Sequence, residues 1–155
     1  MANNEKTIYG YVEKTTFLQN NLTLSAKLDT GAKSSSLYAL NIKKIEEGDK
    51  TYLTFIVPSK EGDVSFKCEY LGEVNIKVRN GEKKAIALTR KALKRPVVLM
   101  KARLANKERE IRVNLANRKH FIYPLLLGRE AIISFDGLVD PSKKYNIIEN
   151  KPNKK

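Results

Sequence analysis

Apolar residues recur at every second position in several short runs of this chain. Leu22, Leu24, Ala26 and Leu28 mark one run, Val74, Ile76 and Val78 a second, and Ile111, Val113 and Leu115 a third. Successive side chains of a strand point to opposite faces, so this period specifies strands with one buried face. Thr7 to Val12, Tyr52 to Val57, Val64 to Tyr70, Ala85 to Leu88, Val97 to Leu104 and Tyr145 to Ile148 read as further strands. Glu47-Gly48-Asp49, Glu61-Gly62-Asp63 and Asn80-Gly81 punctuate them. Asn-Gly is a type I′ hairpin signal, because both central residues of that turn need positive φ. Short strands with turns at roughly 8–12-residue spacing predict a small barrel or sandwich. Helix is expected only from Arg129 to Ile133, just after Gly128, and a turn is expected at Ser34 to Ala39.

With 155 residues, 41% of them apolar and 30% charged, the chain has the size and composition of one globular domain. That domain is expected over 1–150, followed by a disordered basic tail at 151–155. No apolar run reaches the ~20 residues of a bilayer-crossing helix, so no membrane span is expected. The first residues lack a signal peptide's apolar stretch. A cytoplasmic location is expected from the sequence as it stands, or a periplasmic one if a native N-terminus was removed. The formal net charge of +13 creates a field that attracts anionic partners without choosing among them. Its clusters at Lys83-Lys84, Arg90 to Arg95 and the tail read as solvated surface. Nucleic acid is disfavoured, since no zinc finger, ribonucleoprotein motif or recognition helix accompanies the charge.

Cys68 is the single cysteine and His120 the single histidine. A structural zinc site needs about four Cys or His ligands and a catalytic one usually about three protein ligands. Zinc is therefore disfavoured, and no metal or other cofactor is expected. A Cys68–His120 nucleophile and base has no local support.

The chemistry-bearing segment is Leu28-Asp29-Thr30-Gly31-Ala32, which sets a carboxylate at the end of an alternating apolar strand. An Asp before Thr-Gly is also an ordinary turn former, its carboxylate bonding a nearby backbone N–H. About a hundred residues later, Pro124-Leu125-Leu126-Leu127-Gly128-Arg129-Glu130 runs from an apolar strand through glycine into the short helix. Together these two segments resemble the retropepsin-like aspartic peptidases. Further landmarks narrow the resemblance to a bacterial branch labelled ATP-dependent zinc protease: Tyr9-Gly10-Tyr11-Val12-Glu13, Lys33 to Ala39, Arg95-Pro96-Val97-Val98, Asn117-Arg118 and Val139-Asp140-Pro141. The label fails against the residues. Gly31-Ala32-Lys33-Ser34 lacks the spacing of a phosphate-binding loop, and the ligands for zinc are too few.

The resemblance implies a mainly β fold, a single-lobed closed barrel with one short C-terminal helix. It implies an aspartic-type endopeptidase acting on a peptide or protein substrate, with Asp29 catalytic and Thr30, Gly31 and Ala32 supporting the catalytic loop. Leu126, Leu127, Gly128 and Arg129 would hold that loop from beneath. The mechanism takes two carboxylates sharing a proton. Phe135-Asp136-Gly137 and Glu61-Gly62-Asp63 lack the Thr or Ser of a second motif, so the resemblance implies a homodimer contributing one Asp29 from each subunit. Thr30 would bond across the twofold axis and Gly31 would lie along the substrate backbone. Retroviral relatives carry an Asp where this chain has Lys33, so Arg129 is expected to face Glu130 or solvent. The flap would be one of the hairpins expected around Gly48, Gly62 and Gly72. Members of the branch are set beside glutamate-ligase-type enzymes, which makes a non-catalytic peptide- or partner-protein-binding module the alternative.

Overall fold

The computed structural model describes residues 5–76 and 94–147. Its strands are β1 (Thr7–Gly10), β2 (Val12–Phe17), β3 (Leu22–Leu28), β4 (Ser35–Tyr38), β5 (Leu40–Glu47), β6 (Lys50–Val57), β7 (Val64–Asn75), β8 (Lys94–Leu104), β9 (Lys107–Ala116), β10 (Leu125–Leu127) and β11 (Gly137–Asp140). Among the described residues a single α-helix, α1 (Arg129–Ser134), lies between β10 and β11. Six strands close on themselves in the order β2-β3-β10-β4-β9-β8 and back to β2. Closure removes the unpaired edges that an open sheet exposes. From β8 the sheet continues outward through β7, β6 and β5, while β1 and β11 form a separate parallel pair.

The period-two runs supply the barrel interior. Leu22, Leu24, Ala26 and Leu28 point inward from β3, Ile111, Val113 and Leu115 from β9, and Val98, Met100, Ala102 and Leu104 from β8. Each large aliphatic side chain buried this way contributes roughly 1.5–3 kcal/mol. Under the outer sheet, Phe66 stacks on Phe55 at 5.7 Å and meets Phe17 edge-on at 6.2 Å. These rings join the β6–β7 hairpin to the barrel core.

The mainly β closed barrel, with one short helix among the described residues, is the expected architecture, but several local expectations are corrected. The strand expected from Thr7 to Val12 breaks at Tyr11. There the chain leaves its pairing with β11 and enters the barrel as β2, while the Tyr11 amide bonds the Lys143 carbonyl at 2.9 Å. Ser34 to Ala39 is no turn: Ser35–Tyr38 is a strand held between β10 and β9. Its serines hide the apolar pattern, yet Ser35 and Ser36 are buried. β5 was not expected because its side chains are mostly exposed and charged. Tyr145 to Ile147 forms bends and turns instead of a strand, with Tyr145 at φ 56°. Gly72 does not tip a hairpin. It lies within β7 at a register shift beside Tyr70, and its φ of 103° is one that other residues rarely adopt. Gly48 and Gly62 do occupy the turns between β5 and β6 and between β6 and β7. The Asn80-Gly81 turn, Val78, the Ala85 to Leu88 strand, Lys83-Lys84, most of the Arg90 to Arg95 cluster and the 151–155 tail lie outside the described residues.

Candidate active site

Strand β3 ends on inward-facing Leu28, and the next residue, Asp29, emerges half-buried at the barrel's end. Its amide still belongs to the sheet, donating to the Leu127 carbonyl at 2.8 Å. Its carboxylate turns back on the loop, Oδ1 accepting from the Gly31 amide at 2.9 Å. The Ala32 amide then bonds the Asp29 carbonyl at 3.2 Å and closes the turn. The sequence-level turn former and the candidate catalytic acid are therefore the same carboxylate, held by one backbone N–H. Thr30 and Gly31 are exposed at the tip of the loop.

The loop rests on the segment after β10. Leu127 faces Leu28 in parallel register, and Leu126 lies between Lys27 of β3 and Ser36 of β4. The Arg129 amide bonds the Ala32 carbonyl at 2.7 Å and the Glu130 amide bonds the Lys33 carbonyl at 3.1 Å. These are first-turn amides of α1, which a helix cannot satisfy internally. Thus the loop supplies acceptors to the helix start, and the helix start fixes the loop. Gly128 is required here by contact: a Cβ on it would collide with the backbone carbonyls of Ser34 and Ala32.

Arg129 does not pair with Glu130. Its exposed guanidinium donates from Nη1 to the Thr30 carbonyl at 3.3 Å. With Lys33 in place of an acidic residue, the side-chain clamp becomes a clamp on backbone, and the loop is still gripped from the same side. The structure thus brings Asp29, Thr30, Gly31, Ala32, Leu126, Leu127, Gly128 and Arg129 to one place.

Sequence reasoning missed two supports. The Ser35 hydroxyl accepts from the Gly128 amide at 3.1 Å. Its run of serines read as a turn; the signal was their position one residue past the acidic loop. Glu13 is fully buried on β2 and accepts from the amides of Gly10 at 2.6 Å, Asn146 at 2.9 Å and Ile147 at 3.4 Å. It anchors the segment after β11 against the barrel beside Leu28, whose amide bonds the Tyr11 carbonyl at 2.8 Å. A buried carboxylate persists only with such partners.

Cys68 is buried on β7 against the Gln19 amide at 3.8 Å. Burial pushes its thiol up to about 11, the opposite of what a nucleophile needs. His120 is exposed after β9. Among the described residues no cluster of three or more His, Cys, Asp or Glu side chains forms, and no helix is long and apolar enough to cross a membrane.

Comparison with known proteins bears on this arrangement. The crystal structure of a protein of unknown function (DUF785) from Legionella pneumophila is 53% identical, covers 92% of this chain and 99% of that one, and superposes with a TM-score of 0.79. A probable alpha-L-glutamate ligase of Shewanella pealeana is 31% identical over 130 residues, which is 81% of this chain and 26% of the relative. A second, from Shewanella halifaxensis, is 31% identical over 126 residues, covering 79% of this chain and 25% of the relative. The chain thus spans about a quarter of the length of the curated relatives it matches. The RimB-like family, described as retropepsin-like aspartic endopeptidase RimB, matches residues 8–150, and the chain belongs to that family.

Proposed function

We propose that the chain is an aspartic-type endopeptidase whose site assembles when two copies bring their Asp29 carboxylates together on a twofold axis. The observation that carries this reading is the placement of Asp29. It stands at the open end of the barrel on a turn fixed from both sides, with its Oδ1 held by the Gly31 amide. One chain provides one such carboxylate, and peptide hydrolysis by this chemistry takes two.

In the dimer the two carboxylates share one proton, because like charges about 3 Å apart cannot both ionise. The ionised member takes a proton from water, which attacks the scissile carbonyl. The protonated member donates to the carbonyl oxygen, and the tetrahedral intermediate collapses when the leaving nitrogen is protonated. Thr30, exposed at the loop tip, bonds the partner loop, and Gly31 leaves room for the substrate backbone. Arg129 and Gly128 hold the loop so that the dyad does not reorganise during reaction.

The test is hydrolysis of an unstructured protein substrate by the wild-type chain and by Asp29→Asn. The substitution keeps size and turn chemistry and removes the acid. Wild-type cleavage that disappears in the variant supports the reading, and equal cleavage by both contradicts it.

One observation favours a second reading, a module that binds a peptide or partner protein without cleaving it. The curated relatives named probable alpha-L-glutamate ligases carry the matching region as about a quarter of a longer chain. Binding of a polypeptide that is unchanged in Asp29→Asn, with no cleavage by either form, would establish that reading.

A further inference from the structure

Strand β3 runs into the Asp29 loop with its two faces in strict alternation. Ala26 and Leu28 belong to the core, so Lys27 and Asp29 point outward. The Asp29 amide keeps to the ladder by bonding the Leu127 carbonyl at 2.8 Å, which carries the alternation through the acid. Residues two apart on a strand lie about 6.5 Å apart along it. Lys27 is therefore the next side chain on the face that presents Asp29.

The row that crosses the sheet at Lys27 can be followed strand by strand. Lys27 stands opposite Val12 of β2 and Leu126 of β10, Leu126 opposite Ser36 of β4, and Ser36 opposite Asn114 of β9. Residues opposite one another share a face. Val12, Ser36 and Asn114 are buried, so the row is closed at both ends. It opens in the middle, where Lys27 is exposed and Leu126 half-buried. Elsewhere Lys67, Arg103, Lys107 and Arg109 have carboxylate partners. Among the described residues no carboxylate pairs with Lys27. The open part of the face beside the acid is thus a leucine next to a cation.

We propose that Lys27 is a specificity-determining residue of the Asp29 site, and that with Leu126 it selects polypeptides carrying an acidic side chain next to the scissile bond. The inference rests on the aspartic-endopeptidase reading and names its substrate class. A peptide bond held at Asp29 sets a flanking side chain over the stretch between Lys27 and Leu126. There the methylenes of a glutamate lie on Leu126 and its carboxylate meets the Lys27 ammonium, whose flexible four-carbon stem adjusts to it. A lysine in the same place meets a like charge. Twofold symmetry sets one Lys27 beside each Asp29, so the preference holds on both sides of the bond. The net charge of +13 attracts acidic polypeptides as well, but that effect does not depend on Lys27.

The test is digestion, by the full chain, of capped peptides in which one Glu, Gln or Lys is walked through an otherwise uncharged sequence. Cut sites are mapped by mass spectrometry and kcat/KM is measured for each peptide. Bonds next to Glu are expected to be cut up to about fivefold faster than those next to Gln, the range of an exposed ion pair, and bonds next to Lys more slowly than either. Lys27→Gln should bring Glu and Gln level, and Lys27→Glu should reverse the order of Glu and Lys. Each ratio is taken within one enzyme, so any change in the dyad itself cancels from it. Lys60→Gln makes the same charge change at the exposed turn between β6 and β7 and should leave the ratios unaltered. Cleavage that requires Asp29 but is equal for Glu, Gln and Lys overturns the assignment and leaves the aspartic-endopeptidase reading standing. So does a Glu preference that survives Lys27→Glu or is lost equally in Lys60→Gln. Cleavage that persists in Asp29→Asn, or none by the wild type, overturns that reading and this inference with it.

Discussion

The Gly128 amide donates to the hydroxyl of Ser35 at 3.1 Å, across 93 positions of sequence. This buried bond ties the strand after the acidic loop to the start of the helix that supports it. Because a Cβ on Gly128 would collide with the Ser34 carbonyl, the loop's position depends on both residues. Ser35→Ala leaves a buried amide unpaired and should cost about 1–3 kcal/mol. Gly128→Ala should cost at least as much through the backbone clash. Denaturant unfolding of each variant measures these losses. A midpoint unchanged in Gly128→Ala would show that the loop is not seated as described.

Glu13 makes a separate prediction. Glu13→Gln keeps the shape but replaces a charged acceptor of the Gly10, Asn146 and Ile147 amides. A stability loss of about 2–3 kcal/mol is expected, together with faster hydrogen exchange at Asn146 and Ile147. Unchanged exchange at those amides would contradict the anchoring role.

High pH should weaken the fold. Burial raises the Cys68 thiol from 9.0 to about 11 and the Tyr9 hydroxyl from 10.0 to about 12. Between those limits the unfolded chain has released protons that the folded chain still holds. Stability therefore falls as pH rises from about 9 to about 12. Cys68→Ala should flatten the decline between about 9 and 11, as followed by thermal unfolding across pH. An unaltered slope would remove Cys68 from the explanation.

Ala32 sets the pH range of the proposed reaction. Its amide closes the Asp29 turn, but its side chain has no hydroxyl for the carboxylate. A hydroxyl there would favour the charged form. Ala32→Thr should accordingly move the pH–rate optimum of peptide hydrolysis toward acid, by about one unit if the new bond contributes ~1.4 kcal/mol. A sharply acidic optimum already present in the wild type would contradict this account.

Much of the barrel was legible because its inward faces obey a strict alternation, as in Leu22 to Leu28 and Ile111 to Leu115. The candidate site came from the resemblance that Asp29 to Ala32 and Gly128-Arg129 carry, and strands β3 and β10 run directly into those two segments. Ser35–Tyr38 was not legible, since buried serines satisfied by hydrogen bonds lack an apolar signature. β5 escaped for the opposite reason, its exposed charges resembling a loop. Tyr145 was misread because β propensity describes a residue that suits a half-buried sheet, whereas its backbone adopts a positive φ beside the Glu13 anchor.

The separation of the two Asp29 carboxylates in a crystal of the assembled protein tests the central claim most directly. The account predicts a twofold dimer with carboxylate oxygens within hydrogen-bond reach, about 3 Å. Asp29 isolated in every packing arrangement, its carboxylate held only by its own Gly31, would contradict the dyad and leave the binding-module reading in its place.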